Sequence, residues 1–415
     1  MKPSYLRAGL CILAAIAFVF LIGTAYATPP ARPDDVLWSS TFEGSGNSSC
    51  LSVARTPDGG YVFAGRSFAA DEVRAYAGRA DQNGSLLWHN IYPAEDSSFS
   101  AALNTLDGNF LFVGTGRRDD GSGHYGGYLL KTDPDGNPLL TRSYGIGGVS
   151  WFQDAVQEAD GSLVILGAID NRTRIGNNSA GGLYIYVLKI DATGDPIWWQ
   201  AYGSGNLEGY GIARSPDGGY AIAGFRFIEG SSLTHGYLLR IDGTGNKLWD
   251  ISYERDGDTN FYTLCNAGND GYLLAGTKHE DDDTKIYLSR VALDGTGLWN
   301  RTFESEGIAY DVIQASDGGF ALACGPDIIK VSGDGVADWQ RTFGPEGFLC
   351  SVIEAGDGSY VFGGTALAGN GNRSAWLVGI GYTRGPGYTP VCWCLPMLVL
   401  PALAIGLAAR ARMQR

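Results

Sequence analysis

The chain is poor in the side chains that carry most enzyme chemistry, with four His and only 18% charged residues in 415. No nucleophile elbow, P-loop or H-E-x-x-H stretch occurs. Basic residues are in the minority, 30 Lys and Arg against 44 Asp and Glu, giving a formal charge of −14. Nucleic-acid partners are reached through a basic footprint, so that class is excluded. The 62 Gly follow no three-residue period, which excludes collagen. With 16 Pro they also stay below the level of aperiodic low complexity. What the chain does have is aromatic: 22 Tyr, 17 Phe and 10 Trp, enough apolar surface for a core and against disorder. So many Gly beside so many aromatics predict short strands joined by tight turns.

Long apolar runs occur only at the two ends. Lys2 and Arg7 precede an apolar stretch from Ala8 to about Gly23, followed by Thr24-Ala25-Tyr26-Ala27. This is the order of a secretory signal peptide cut after Ala27, with an uncleaved anchor as the alternative. Val391 to Ala409 is uncharged and apolar, and Arg410, Arg412 and Arg415 follow it. That pattern predicts a membrane-crossing segment with its arginines on the cytoplasmic side and the middle of the chain outside. Five of the 30 basic residues lie in these ends, leaving 25 against all 44 acids in the exported part. The sequons at Asn47, Asn83, Asn171, Asn177, Asn300 and Asn372 suit a glycosylated exported protein.

Between the ends, a turn signal of Asp-Gly before an aliphatic or aromatic strand recurs at Asp58, Asp107, Asp160, Asp217, Asp270, Asp317 and Asp357, about every 50 residues. Each copy has a segment led by Trp, or by Leu139-Leu140 in the third place (a), a short alternating stretch (b), the Asp-Gly turn with a strand ending in Gly (c), and a strand such as Tyr237-Leu238-Leu239-Arg240-Ile241-Asp242 (d). A D-x-x-G turn joins d to the next Trp segment. Four such strands form an antiparallel meander that cannot cover both its faces alone, whereas a ring of seven can. The expected fold is therefore all-β, a seven-bladed propeller of four-stranded antiparallel blades. If the d–a hairpin lies within one blade, the Trp38 strand completes the last blade and clasps the ring; if a to d form one blade, no clasp exists. The first arrangement is favoured. The resulting division is 1–27 signal peptide, 28–35 linker, 36–383 propeller, 384–390 linker, 391–409 transmembrane or sorting segment, and 410–415 basic tail.

The unit Asp191-Ala192-Thr193-Gly194-Asp195-Pro196-Ile197-Trp198 resembles the Trp-docking repeat of quinoprotein-type propellers. Arg341-Thr342-Phe343-Gly344 and Asp217-Gly218-Gly219-Tyr220 are similar to repeats of secreted or surface-anchored archaeal and bacterial propeller proteins, whose units read W-x-x-T-F-G, D-G-G-Y-x-x-A-G and Y-L-L-K-x-D-x-x-G. Pro386-Gly387-Tyr388, the apolar stretch and the arginines resemble the C-terminal sorting segments of archaeal surface proteins. There the triplet ends in Phe and the segment is replaced by a lipid anchor. Tyr388 departs from that pattern.

Candidate sites follow from the meander. Its a–b and c–d connections share one rim, long and variable, and its tight b–c and d–a turns share the other. Variable loops on a rigid scaffold are where binding usually resides. Acids on the long-loop rim, above all Asp281, Asp282 and Asp283, are the calcium candidate; solvation of an exposed face is the alternative. Asp133-Pro134-Asp135-Gly136-Asn137 reads as a turn. Six residues before each turn Asp stand Ser52, Ala101, Asp154, Gly211, Leu264, Asp311 and Ser351, so Asp154 and Asp311 are the charged members of an inner ring near the axis, able to bind a ligand or merely to solvate the channel. His124, His235 and His279 have no metal-ligand spacing. Cys50, Cys265, Cys324 and Cys350 read as buried thiols, with a Cys50–Cys350 closure disulfide as the alternative.

The long-loop rim gathers most acids outside the turns, and the reading that fits best is a cell-surface-anchored, monomeric ring that binds a protein, glycan or cation through this acidic rim. An extracellular quinoprotein-like or carbohydrate-active enzyme and a structural envelope component are the alternatives.

Overall fold

The computed structural model describes residues 35–381, except 44–45, 70–71, 119, 146–147, 171–181, 205, 254–256, 281–282, 306, 345–346 and 370. The expected signal peptide and the 391–409 segment lie outside the described residues. Among the described residues, no helix is long and apolar enough to cross a membrane.

The chain folds into seven four-stranded sheets. In each, the strands run b, c, d, a from the axis outward, every neighbour antiparallel, so the d–a hairpin lies within one blade. The innermost strands of blades 1 to 7 are Asn47–Arg55, Ser98–Asn104, Val149–Gln157, Leu207–Arg214, Asp258–Asn266, Asp311–Gln314 and Gly347–Glu354. The last blade has no outer strand of its own in sequence order. Asp35–Phe42 supplies it, pairing with Arg373–Gly381 from Asp35 opposite Gly381 to Phe42 opposite Ala375. The expected clasp is present, and both chain ends leave the ring from the short-turn rim.

The turns explain the glycines. At Thr56-Pro57-Asp58-Gly59-Gly60 the Thr56 N–H donates to the Gly60 carbonyl at 2.9 Å and the Gly59 N–H to the Thr56 carbonyl at 3.0 Å, with Gly59 at φ +86°. At the D-x-x-G turn of blade 4, Asp242 Oδ1 accepts the N–H groups of Thr244 and Asn246 at 2.8 and 2.9 Å. The side-chain bonds from Asn246 and Thr244, with these backbone ones, hold its carboxyl down at about 2. Asp133 likewise accepts from Asp135 and Asn137, so its segment is the turn that the sequence indicates.

The Trp series joins one blade to the next. Trp198, on the outer strand of blade 3, lies over Gly245 in the d–a turn of blade 4; a Cβ there would sit 3.0 Å from its ring. Trp38 covers Gly84, Trp88 covers Gly136, Trp249 covers Gly295 and Trp299 covers Gly335 in the same way, each reaching one blade onward. Leu140 takes the Trp place over Gly194. A Tyr at the end of the same outer strand often adds a hydrogen bond to that glycine's carbonyl: Tyr92 to Gly136 at 3.1 Å and Tyr144 to Gly194 at 2.7 Å. Under these contacts, one buried apolar cluster fills each blade-to-blade junction, as Val164, Leu166, Ile222 and Leu239 do between blades 3 and 4. These positions are core docking, as the sequence reading holds.

Two predictions follow from this docking. Gly245→Ala places a side chain at φ +86° against Trp198 and should cost about 1–3 kcal/mol, more than Gly59→Ala, whose position has the same φ but no neighbour within 4 Å. Melting temperatures of the two variants measure the difference; equal losses would show that the Trp contact contributes nothing. A chain starting at residue 44 lacks the clasp strand and should lose cooperative melting, read by circular dichroism against the full chain.

Candidate functional site

The inner strands of blades 1 to 5 and of blade 7 each carry a bulge, and the bulge sets what faces the axis. In blade 3 the register slips between Phe152 and Asp154, in blade 4 between Gly209 and Gly211, and in blade 5 between Phe261 and Thr263. The extra residue and the one after it turn toward the channel, a re-aiming that bulges commonly perform. Together they enclose a cavity of about 120 Å³ lined by Ser52, Ser100, Gln153, Asp154, Tyr210, Tyr262, Thr263, Tyr310, Asp311, Cys350 and Ser351, among others.

Asp154 and Asp311 do meet at this cavity, and they also brace the ring. Asp154 Oδ2 accepts the N–H of Ile212 in the next blade at 3.0 Å while Oδ1 accepts that of Ala155 at 2.8 Å. Asp311 Oδ2 accepts the N–H of Val352 at 2.9 Å and the Ser351 hydroxyl at 3.0 Å. Ser52 accepts from Ala102, and Ser351 from Val53, both at 3.1 Å. One position of the inner strand thus offers a side-chain oxygen to the following blade where the residue is Ser or Asp. In blade 5 that position is Thr263, opposite Ala275, not Leu264. The Asp of that turn sits one place later, after Gly268 and Asn269, and counting back from it misplaces the ring residue.

Among the described residues, no basic side chain lines the cavity. Burial pushes both carboxyls up to about 6, the backbone N–H bonds opposing it. Folding therefore raises both above the ordinary 3.8. Between about pH 4 and pH 6 the folded ring holds more protons than the unfolded chain, so these groups add stability as pH falls through that window and have lost that contribution above it. The Asp154→Ser, Asp311→Ser double variant keeps the hydroxyl acceptor found in blades 1 and 7. Its melting temperature should change less between about pH 7 and pH 5 than that of the unaltered chain; identical slopes would acquit both aspartates.

The sequence reading did not single out the aromatic side of the mouth. Tyr210 and Tyr262 are the bulged residues of blades 4 and 5, and Tyr310 stands at the same place just before the inner strand of blade 6, on the long-loop side of the cavity. The Tyr210 ring lies 5.2 Å from Tyr262 and 5.4 Å from Phe225, and Tyr310 lies 5.2 Å from the exposed Phe348. The half-buried Glu208 acts on Tyr210, adding to burial in raising its hydroxyl pKa. Blades 1 to 3 present Leu51, Ser100 and Gln153 at the same place, so the collar is one-sided. Its sequence signal is the residue just before the ring position, masked in blade 5 by the displaced Asp.

Several expectations change. Acids are not confined to the long-loop rim, because every blade also carries them in its short turns. There they cap the turn or pair with a base of strand d, as Asp217 does with the buried Arg240 at 2.5 Å and Asp317 with Lys330 at 2.9 Å. Acids of the long-loop rim are paired as well, Asp96 with Arg117 at 2.8 Å and Glu280 with Lys278 at 2.8 Å. Asp281 and Asp282 lie outside the described residues, and Asp283 opens a strand opposite Glu280. Among the described residues, no group of three or more His, Cys, Asp or Glu is placed to hold a metal.

The Cys50–Cys350 disulfide is absent: both are free thiols, as are Cys265 and Cys324. Cys350 is a bulged residue facing the cavity, whereas Cys50 precedes its bulge and points into the blade junction, so Cys350 Sγ meets the Cys50 carbonyl at 3.4 Å instead of its sulfur. Of the sequons, Asn47, Asn83, Asn300 and Asn372 are exposed, and Asn171 and Asn177 lie outside the described residues.

No family model matches the chain. A curated relative, an uncharacterized WD repeat-containing protein L264 of Acanthamoeba polyphaga mimivirus, is 24% identical over 165 residues, which is 36% of this chain and 11% of that protein. Among solved structures, the Pan2 WD40 domain of Neurospora crassa is similar with a TM-score of 0.52 at 11% identity, covering 85% of this chain and 96% of that one. A protein of unknown function from Dyadobacter fermentans gives 0.51 at 11% identity, with 84% and 99% covered. YCF48 bound to D1 peptide gives 0.50 at 12% identity, with 88% and 100% covered. At these identities the likeness is one of fold, and the fold is the β-propeller.

Proposed function

We propose that the chain is exported, anchored to the cell surface through its C-terminal segment, and acts there without catalysis as an interaction ring that holds a protein segment across the long-loop mouth of its channel. The observation that carries this reading is the one-sided collar of Tyr210, Tyr262 and Tyr310, continued outward by Phe225 and the exposed Phe348. Aromatic residues supply much of the binding energy at protein interfaces, because they bury large area with few rotatable bonds. A solved propeller of similar fold holds a peptide, which agrees with this use. The apolar stretches near the two ends, with the basic residues that flank them, support export and anchoring. The collar lies on the rim opposite the one where Asp35 and Gly381 stand.

A photo-crosslinking residue placed at Phe348 tests the reading on intact cells. It should give a discrete protein adduct, while the same residue at Leu106, exposed on the short-turn rim, gives none. Equal adducts from both, or none from Phe348, would count against the collar as the docking surface.

A further inference from the structure

Two features of the mouth remain unused by the docking reading: the charge of the cavity beneath it and the chemistry of the collar above. Asp154 and Asp311 face one cavity from blades 3 and 6, and no Lys, Arg or His is among the residues lining it. Each carboxylate is hydrogen-bonded, but by neutral donors only. A half-enclosed pair of like charges without a counter-charge is costly, and a positive group brought to it gains from both. The volume, about 120 Å³, is several times the ~10–15 Å³ that admits one water, so the end of a long side chain fits. The collar suits the same kind of group, since the faces of aromatic rings attract cations within about 6 Å. Glu208 adds a third carboxylate at the collar's edge. Arg66, on blade 1, is exposed, stacks over Phe68 at 5.1 Å and does not line the cavity.

We infer that the mouth admits one cationic side chain, the Lys or Arg of an extended partner segment, whose charged end lies against the Tyr210, Tyr262 and Tyr310 rings and faces Asp154 and Asp311. This rests on the docking reading and adds the partner's chemistry: a basic anchor residue instead of an apolar one. It also gives the surplus negative charge a use, since an acidic ring draws a basic segment toward it during encounter.

The probes are N-acetyl-lysine methylamide, N-acetyl-arginine methylamide and the neutral N-acetyl-norleucine methylamide, titrated at millimolar concentration into the full chain in mild detergent and followed by saturation-transfer NMR. The expected result is binding of the Lys or Arg probe at least about tenfold tighter than norleucine, a difference of about 1.4 kcal/mol. It should be lost in the Asp154→Ser, Asp311→Ser double variant and weakened at least about threefold by Tyr262→Leu, a change in the collar that leaves the inter-blade bonds in place. Equal binding of all three probes, no binding of either cationic probe, or preference unchanged in the double variant would each overturn the inference. The crosslink at Phe348 is read separately, so a docking surface without a cationic pocket is distinguishable from no docking surface at all.

Discussion

The ring depends on one repeated contact, the side chain of an outer strand laid over the glycine of the next blade's turn. A four-stranded blade exposes two faces, and its stability comes from neighbours covering both. The turn glycine lets the aromatic ring approach to van der Waals distance because it has no Cβ, and its positive φ is the same feature that closes the turn. Gly245 thus serves two ends, reversing the chain within blade 4 and seating Trp198 of blade 3. Turn and docking position therefore recur together, and the outer strand has to precede the blade onto which it docks.

Closer to the axis, the same joining is done with polar atoms. Where a blade has Ser or Asp at the ring position, that side chain takes an N–H from the following inner strand, a group that would otherwise face the channel. Serine does this without charge. Aspartate satisfies two N–H groups at once, as Asp154 does for Ala155 and Ile212, but it leaves a carboxylate in a cavity that holds no base. Bracing and an unneutralised charge thus come from the same two residues, and the collar stands directly above them.

Much of the architecture was legible because its signals are local. Asp, Gly and an aromatic at fixed offsets specify a turn and a docking place within a few residues, and seven repetitions of one four-strand unit give the blade number. The clasp followed from the order in which the chain begins with strand a and ends with strand d. Less of the site was legible. Which residue of an inner strand faces the axis depends on a bulge, and in blade 5 the displaced Asp270 shifted the count from Thr263 to Leu264. The Tyr collar was hidden for the same reason. The state of the acids was hidden too, because the pairing of Asp217 with Arg240 is set by the register of strands c and d and not by distance along the chain.

The clasp has a further consequence. Asp35 and Gly381 stand opposite each other at the one d–a position that has no turn, and every other blade closes there with a short four-residue turn ending in Gly. Bridging them with such a loop would make the polypeptide circular in its connectivity, and the ends could be reopened at any of the other six turns without altering a strand pairing. The seam is therefore a property of the chain's connectivity, not of the blade pairing, and circular permutants with new ends at those turns should assemble the same seven blades.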